Sequence, residues 1–121
     1  MKYRELIKEV QDYSGFSDQE SEDALQLMTE LVSTHLTEGE RQDFASQLPT
    51  ELQDIALSVR VTKHNSEQNV IEQVMELQDI DEPHAKKQVK AVWRALKDAI
   101  SPGEINDIKS QLPNDLVQML I

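Results

Sequence analysis

Three histidines, His35, His64 and His84, have the widest chemical range of any side chains in this 121-residue sequence, and they stand far apart. A helical zinc site needs His-x-x-x-His or His-x-x-Glu-His, because only such spacings put the ligands on one face. Neither pattern occurs. With no cysteine there is no thiolate ligand, no thiolate nucleophile and no disulfide. His35 falls near the end of a long helical stretch, where a cation complements the helix dipole. His64 falls in a connector and His84 in a first turn, so structural or solvated roles are expected for all three. Asp79, Asp81 and Glu82 cluster ahead of a helix, but a calcium loop wants alternating ligands, a central glycine and a downstream glutamate. Helix capping explains the cluster better. Gly39 and Gly103 are lone turn glycines whose neighbours Glu38, Glu40 and Glu104 repel phosphate. The serines lack a nucleophile-elbow context. The sequence thus assigns no catalytic, cofactor-binding or metal-ligating residue, implies no cofactor, and is not expected to encode an enzyme.

The elements that carry these residues are helices throughout, because apolar residues recur at three- and four-residue steps without β-branched alternation. A first helix over 2–13 places Tyr3, Leu6, Ile7, Val10 and Tyr13 on one face. Ser14-Gly15-Phe16 ends it. Ser17 with Glu20 forms a capping box for a helix over 18–36, which presents Leu25, Met28, Val32 and Leu36 with Ala24, Leu31 and His35 flanking. Thr37 with Glu40 opens a short third helix to Leu48, and Pro49 suits the start of a fourth. After a connector at Val59–His64 the plan recurs. Asn65 with Gln68 caps a helix carrying Val70, Ile71, Val74 and Leu77; Asp81-Glu82-Pro83 opens a long helix to Ile100. Ser101-Pro102-Gly103-Glu104 caps the next, and Pro113 starts the last.

The recurrence is a gapless repeat at an offset of 64 residues. Over positions 1–57 it yields ten identities: Ile7, Val10, Gly39, Glu40, Asp43, Ser46, Gln47, Leu48, Pro49 and Leu52. Chance at ordinary composition gives about three or four. A half of this size is marginal alone, so the expected fold is an all-α duplicated helical bundle, two tandem repeats of three to four helices sharing one core. Residues 1–58 form the first repeat, 59–65 the connector and 66–121 the second, in one compact body.

The stretch FSDQESEDALQLMTELVSTHLTEGERQDFASQLPTELQDIAL (16–57), with its echo at 80–121, resembles the bacterial domain of unknown function 2267 family. That resemblance covers nearly the whole chain. It implies two tandem helical repeats, each with a long amphipathic helix, a Gly-containing polar turn and a Gln-Leu-Pro step into a further helix. It implies no assigned activity.

The net charge is −11, unevenly spread: residues 1–58 hold 4 basic and 13 acidic residues, residues 59–121 hold 8 and 10. Such acidity repels phosphate backbones and anionic lipid. The apolar runs are too short for a secretory signal or a membrane-spanning helix, so a cytoplasmic protein without membrane contact is expected. Against this background Lys86, Lys87, Lys90, Arg94 and Lys97 share an arc of about 100° on the long second-half helix. Trp93, the only tryptophan, borders that arc. At the matching first-half positions Glu22, Asp23 and Glu30 oppose Lys86, Lys87 and Arg94, so the sign of one face is reversed. Such an arc can be a solvated face, can meet the acidic face of its own or another copy, or can bind an anionic partner. The expected function is a non-catalytic protein–protein interaction or regulatory module that binds an unidentified protein or itself. The alternative is a nucleic-acid-associated helical protein using the basic face of residues 86–97, which the acidic corners at 36–57 and 100–121 disfavour.

Overall fold

The computed structural model describes residues 1–59 and 69–120. They form eight helices: α1 (Tyr3–Ser14), α2 (Asp18–Thr34), α3 (Glu38–Ser46), α4 (Thr50–Ser58), α5 (Val70–Gln78), α6 (Glu82–Ala99), α7 (Pro102–Gln111) and α8 (Asn114–Leu120). Among the described residues there is no strand.

Local chemistry sets the helix boundaries. Ser17, Thr37, Asp81 and Ser101 each accept a hydrogen bond from the N–H three residues on, and so cap α2, α3, α6 and α7. Pro49 precedes α4. Gly15 ends α1 at φ 77° and Asp79 ends α5 at φ 55°, both left-handed. The acidic cluster at 79–82 is therefore capping chemistry, since Asp79 closes one helix and Asp81 opens the next. The expected cap of Asn65 with Gln68, and residues 60–64 of the connector, lie outside the described residues. The described cap of α5 is Asn69, whose side chain accepts from the Glu72 N–H at 2.8 Å.

The helices pack around α6, which touches α1, α2, α5 and α8. Ala85, Val89, Val92, Trp93, Ala95 and Leu96 of α6 are buried. So are Leu6, Ile7 and Val10 of α1 and Leu25, Met28 and Val32 of α2, all in one core that draws on both halves of the chain. α4 lies against α1, α2 and α3, and α3 against α7. Two apolar expectations fail. Tyr13 is 37% exposed and Leu77 65% exposed, because each lies in the last turn of its helix, where Gly15 and Asp79 turn the chain away.

Leu48 and Leu112, the leucines of the two Gln-Leu-Pro steps, are 4% and 6% exposed. Replacing either by alanine is expected to lower unfolding free energy by about 2–5 kcal/mol, read from urea denaturation. A Lys87→Ala change on the outer face of α6 is expected to stay within about 0.5 kcal/mol of the parent.

Candidate functional site

The basic residues singled out by charge all lie on α6 and face solvent. Lys86, Lys87, Lys90, Arg94 and Lys97 are exposed. Lys86 pairs with Glu82 one turn earlier at 2.9 Å. The Lys87 ammonium lies 5.3 Å from the Phe16 ring centre and the Arg94 guanidinium 4.2 Å from that of Tyr13, each a cation–π contact with an aromatic near the end of α1. The Tyr13 hydroxyl donates to Asp98, one turn past Arg94. That bond is the main reason the phenol titrates above its ordinary value. Lys90 and Lys97 have no ion pair among the described residues.

Trp93 belongs to the core instead. It is 2% exposed, and its indole Nε1 finds no hydrogen-bond partner among the described residues. The helical arc put it on the rim, but helices pack on both flanks of α6 and leave only a narrow stripe open. A surface hollow of about 260 Å³ nevertheless reaches it, lined by Lys90, Trp93, Arg94, Lys97, Met119 and Leu120.

The acidic counterparts are partly committed elsewhere. Glu22 accepts from the Tyr3 hydroxyl at 2.7 Å and Asp23 from the Gln19 amide at 2.9 Å, while Glu30 is exposed. Among the described residues no ion pair joins these three to the basic face.

A different set of acids does converge. Thr37 and Ser101 start α3 and α7, and a full capping box would have Glu40 and Glu104 reach back to their backbone N–H groups. Here glutamines from the opposite half take those places. The Thr37 N–H donates to Gln111 Oε1 and the Ser101 N–H to Gln47 Oε1, both at 2.8 Å. Thr37 and Ser101, like Gln47 and Gln111, stand 64 residues apart, so the two bonds are reciprocal. Glu40 and Glu104, relieved of the cap, turn toward each other. With Asp43 they place one oxygen each within 4.8 Å of the others. Glu104 is buried, 7% exposed, and one oxygen each of Glu40 and Glu104 is buried without a hydrogen-bond partner.

The same diversion happens at α2. Glu20 leaves the Ser17 cap and accepts instead from His84 at 2.5 Å and Gln88 at 2.8 Å. Glu20 and His84 are also 64 positions apart, but there one partner is a base and the contact is satisfied. At 40 and 104 both partners are acids. Burial, then the contact with Glu40, then the charges of Glu40, Asp43 and Asp107 push the Glu104 carboxyl up to about 8. As two carboxylates the pair has no donor; with a proton on Glu104 it has one. Burial lowers the pKa of His35 below its ordinary value, outweighing the opposing charge of Asp115. That shift works against the dipole-complementing cation that its position at the end of α2 suggests.

The charge reading of the sequence passed over Glu40, Asp43 and Glu104, although the signal was present. Glu40/Glu104 and Asp43/Asp107 are both identities at the 64-residue offset. What the sequence could not give is that α3 and α7 meet side by side.

The raised carboxyl has a signed consequence. A folded-state value above the ordinary 4.5 means the folded protein holds the proton more tightly than the unfolded chain. That stabilisation is complete below about pH 4.5 and is lost as pH rises through about 8. In chelator-treated buffer, Glu104→Gln is expected to flatten the pH dependence of the urea midpoint across this window. It should also be more stable than the parent at the alkaline end.

A search of curated proteins finds no match to this chain. A family model described as "Uncharacterized conserved protein (DUF2267)" matches residues 3–119. With the repeated Gln-Leu-Pro steps and the all-helical core already in view, that match extends over nearly the full described length, and the chain belongs to the DUF2267 family.

Proposed function

We propose that the protein is a non-catalytic interaction module that binds an acidic segment of another protein through the outer stripe of α6. The observation that carries this reading is the hollow where Lys90, Arg94 and Lys97 surround the edge of Trp93 beside Met119 and Leu120. Cations at a rim steer and orient an acidic partner, while an aromatic and aliphatic floor gives an apolar side chain somewhere to anchor. Aromatic and arginine groups in such a setting are where binding energy concentrates. In a chain of net charge −11, this local excess of positive charge marks the stripe off from the acidic remainder of the surface and favours an acidic partner there.

A second reading rests on the first-half acids. Asp23 and Glu30 are exposed and form no ion pair with the basic stripe among the described residues, so two copies can bring the faces together.

Nuclease-treated lysate of the source cell passed over wild-type bait and over a Lys90→Glu/Arg94→Glu bait tests both. The module reading expects a defined protein retained by wild type and reduced at least tenfold on the variant. Self-association would instead appear as the bait's own chain alone, with the variant sedimenting as a smaller species. Equal recovery on both baits removes the α6 stripe from the function.

A further inference from the structure

Glu40, Asp43 and Glu104 sit where α3 meets α7, away from the stripe on α6. Three carboxylates at one place are common on acidic proteins, and exposure alone usually accounts for them. Glu104 is different. It is more than nine-tenths buried, and its Oε1 accepts no hydrogen bond among the described residues. It faces Glu40, whose own Oε1 is equally buried and unpartnered. No lysine, arginine or histidine forms an ion pair with any of the three among the described residues. Two buried carboxylates in contact are among the costliest arrangements a fold can hold unless a proton or a metal ion neutralises them. The contact between positions 20 and 84 shows the ordinary remedy, a histidine and a glutamine amide on the glutamate. At 40 and 104 that remedy is missing and a third acid is added instead.

We propose that Glu40, Asp43 and Glu104 form a binding site for a divalent, oxygen-preferring cation of the calcium type. The donor set is all carboxylate, the chemistry hard cations select. Calcium–oxygen bonds of about 2.3–2.6 Å span two ligands up to about 5 Å apart, whereas magnesium at about 2.1 Å spans little more than 4 Å. Oxygens lying within 4.8 Å of one another therefore fit calcium across their whole range. Asp43 is exposed, which leaves the outer side of the site open to water for the remaining coordination positions. Two ligands come from α3 and one from α7, so the cation ties the first half of the chain to the second beside the Gln47 and Gln111 bonds. A site without a dedicated rigid loop belongs at the weak end of calcium affinities, about 10⁻⁴ to 10⁻³ M.

The test is thermal unfolding and calorimetric titration of the full chain with CaCl2, after chelator treatment. Both are done above about pH 8, where Glu104 is ionised, and in 0.15 M KCl so that general screening of the acidic surface is already present. Millimolar calcium is expected to raise Tm by about 3–6 °C with one ion bound per chain. Equimolar MgCl2 should do less. Asp43→Asn and Glu104→Gln should each abolish the calcium shift, while Glu30→Gln, outside the cluster, should retain it. Should Glu104→Gln fail to fold, the exposed Asp43→Asn carries the comparison alone. The absence of any shift overturns the proposal, and so does a shift of equal size in Asp43→Asn and Glu30→Gln, which would mean screening only.

Discussion

Burial of α6 is the constraint on which the rest of the structure depends. Eighteen residues long, it is touched by four other helices, and small residues at Ala85, Ala91 and Ala95 allow neighbours to approach closely. A helix enclosed on most of its circumference must be largely apolar, and what remains open must be strongly polar to keep the chain in solution. The narrow stripe of lysines and arginine follows from that geometry. The basic groups also use adjoining aromatic surface: Lys87 and Arg94 set their charged ends over the rings of Phe16 and Tyr13. Trp93 is drawn inward by the same enclosure.

A second organising feature is the way positions 64 apart meet. In an isolated helix the glutamate at the third position closes its own cap. Here Glu20, Glu40 and Glu104 are all released from that duty and used across the molecule. Glu20 finds a base, whereas Glu40 and Glu104 find each other. The amide groups they leave are taken by Gln47 and Gln111 at the starts of α3 and α7. Local capping chemistry is thus exchanged for contacts between the halves, and one of those contacts carries unbalanced charge.

Much of the fold was legible in the residues because its signals are local. Hydrophobic spacing and the caps at Ser17, Thr37, Asp81 and Ser101 are written within a few residues of the elements they define, and the helix ends at Gly15 and Pro49 follow the same rule. The failures are tertiary. Tyr13 and Leu77 have the right periodicity, but they lie where the chain turns away from the core. Trp93 sits at the edge of an arc, and only the number of neighbours around α6 decides whether an edge is open. The family resemblance was carried by 16–57 and its echo, and the match over residues 3–119 bears it out. The basic stripe was readable from charge alone. The acid cluster needed the meeting of α3 with α7, which no spacing along the chain encodes.

The exchanged glutamines bear on how the chain folds. Each closes a loop of 54 or 74 residues to satisfy a single amide, and closing loops of that length is slow compared with winding a helix. α3 and α7, nine and ten residues long, are too short to hold firmly alone, so their first turns are expected to stay frayed until the opposite half has docked. Because both bonds cross the same junction between α3 and α7, the two ends are expected to be protected together. Amide exchange at these two starts should follow the separation of the halves rather than the fraying of either helix, making the junction a single cooperative unit.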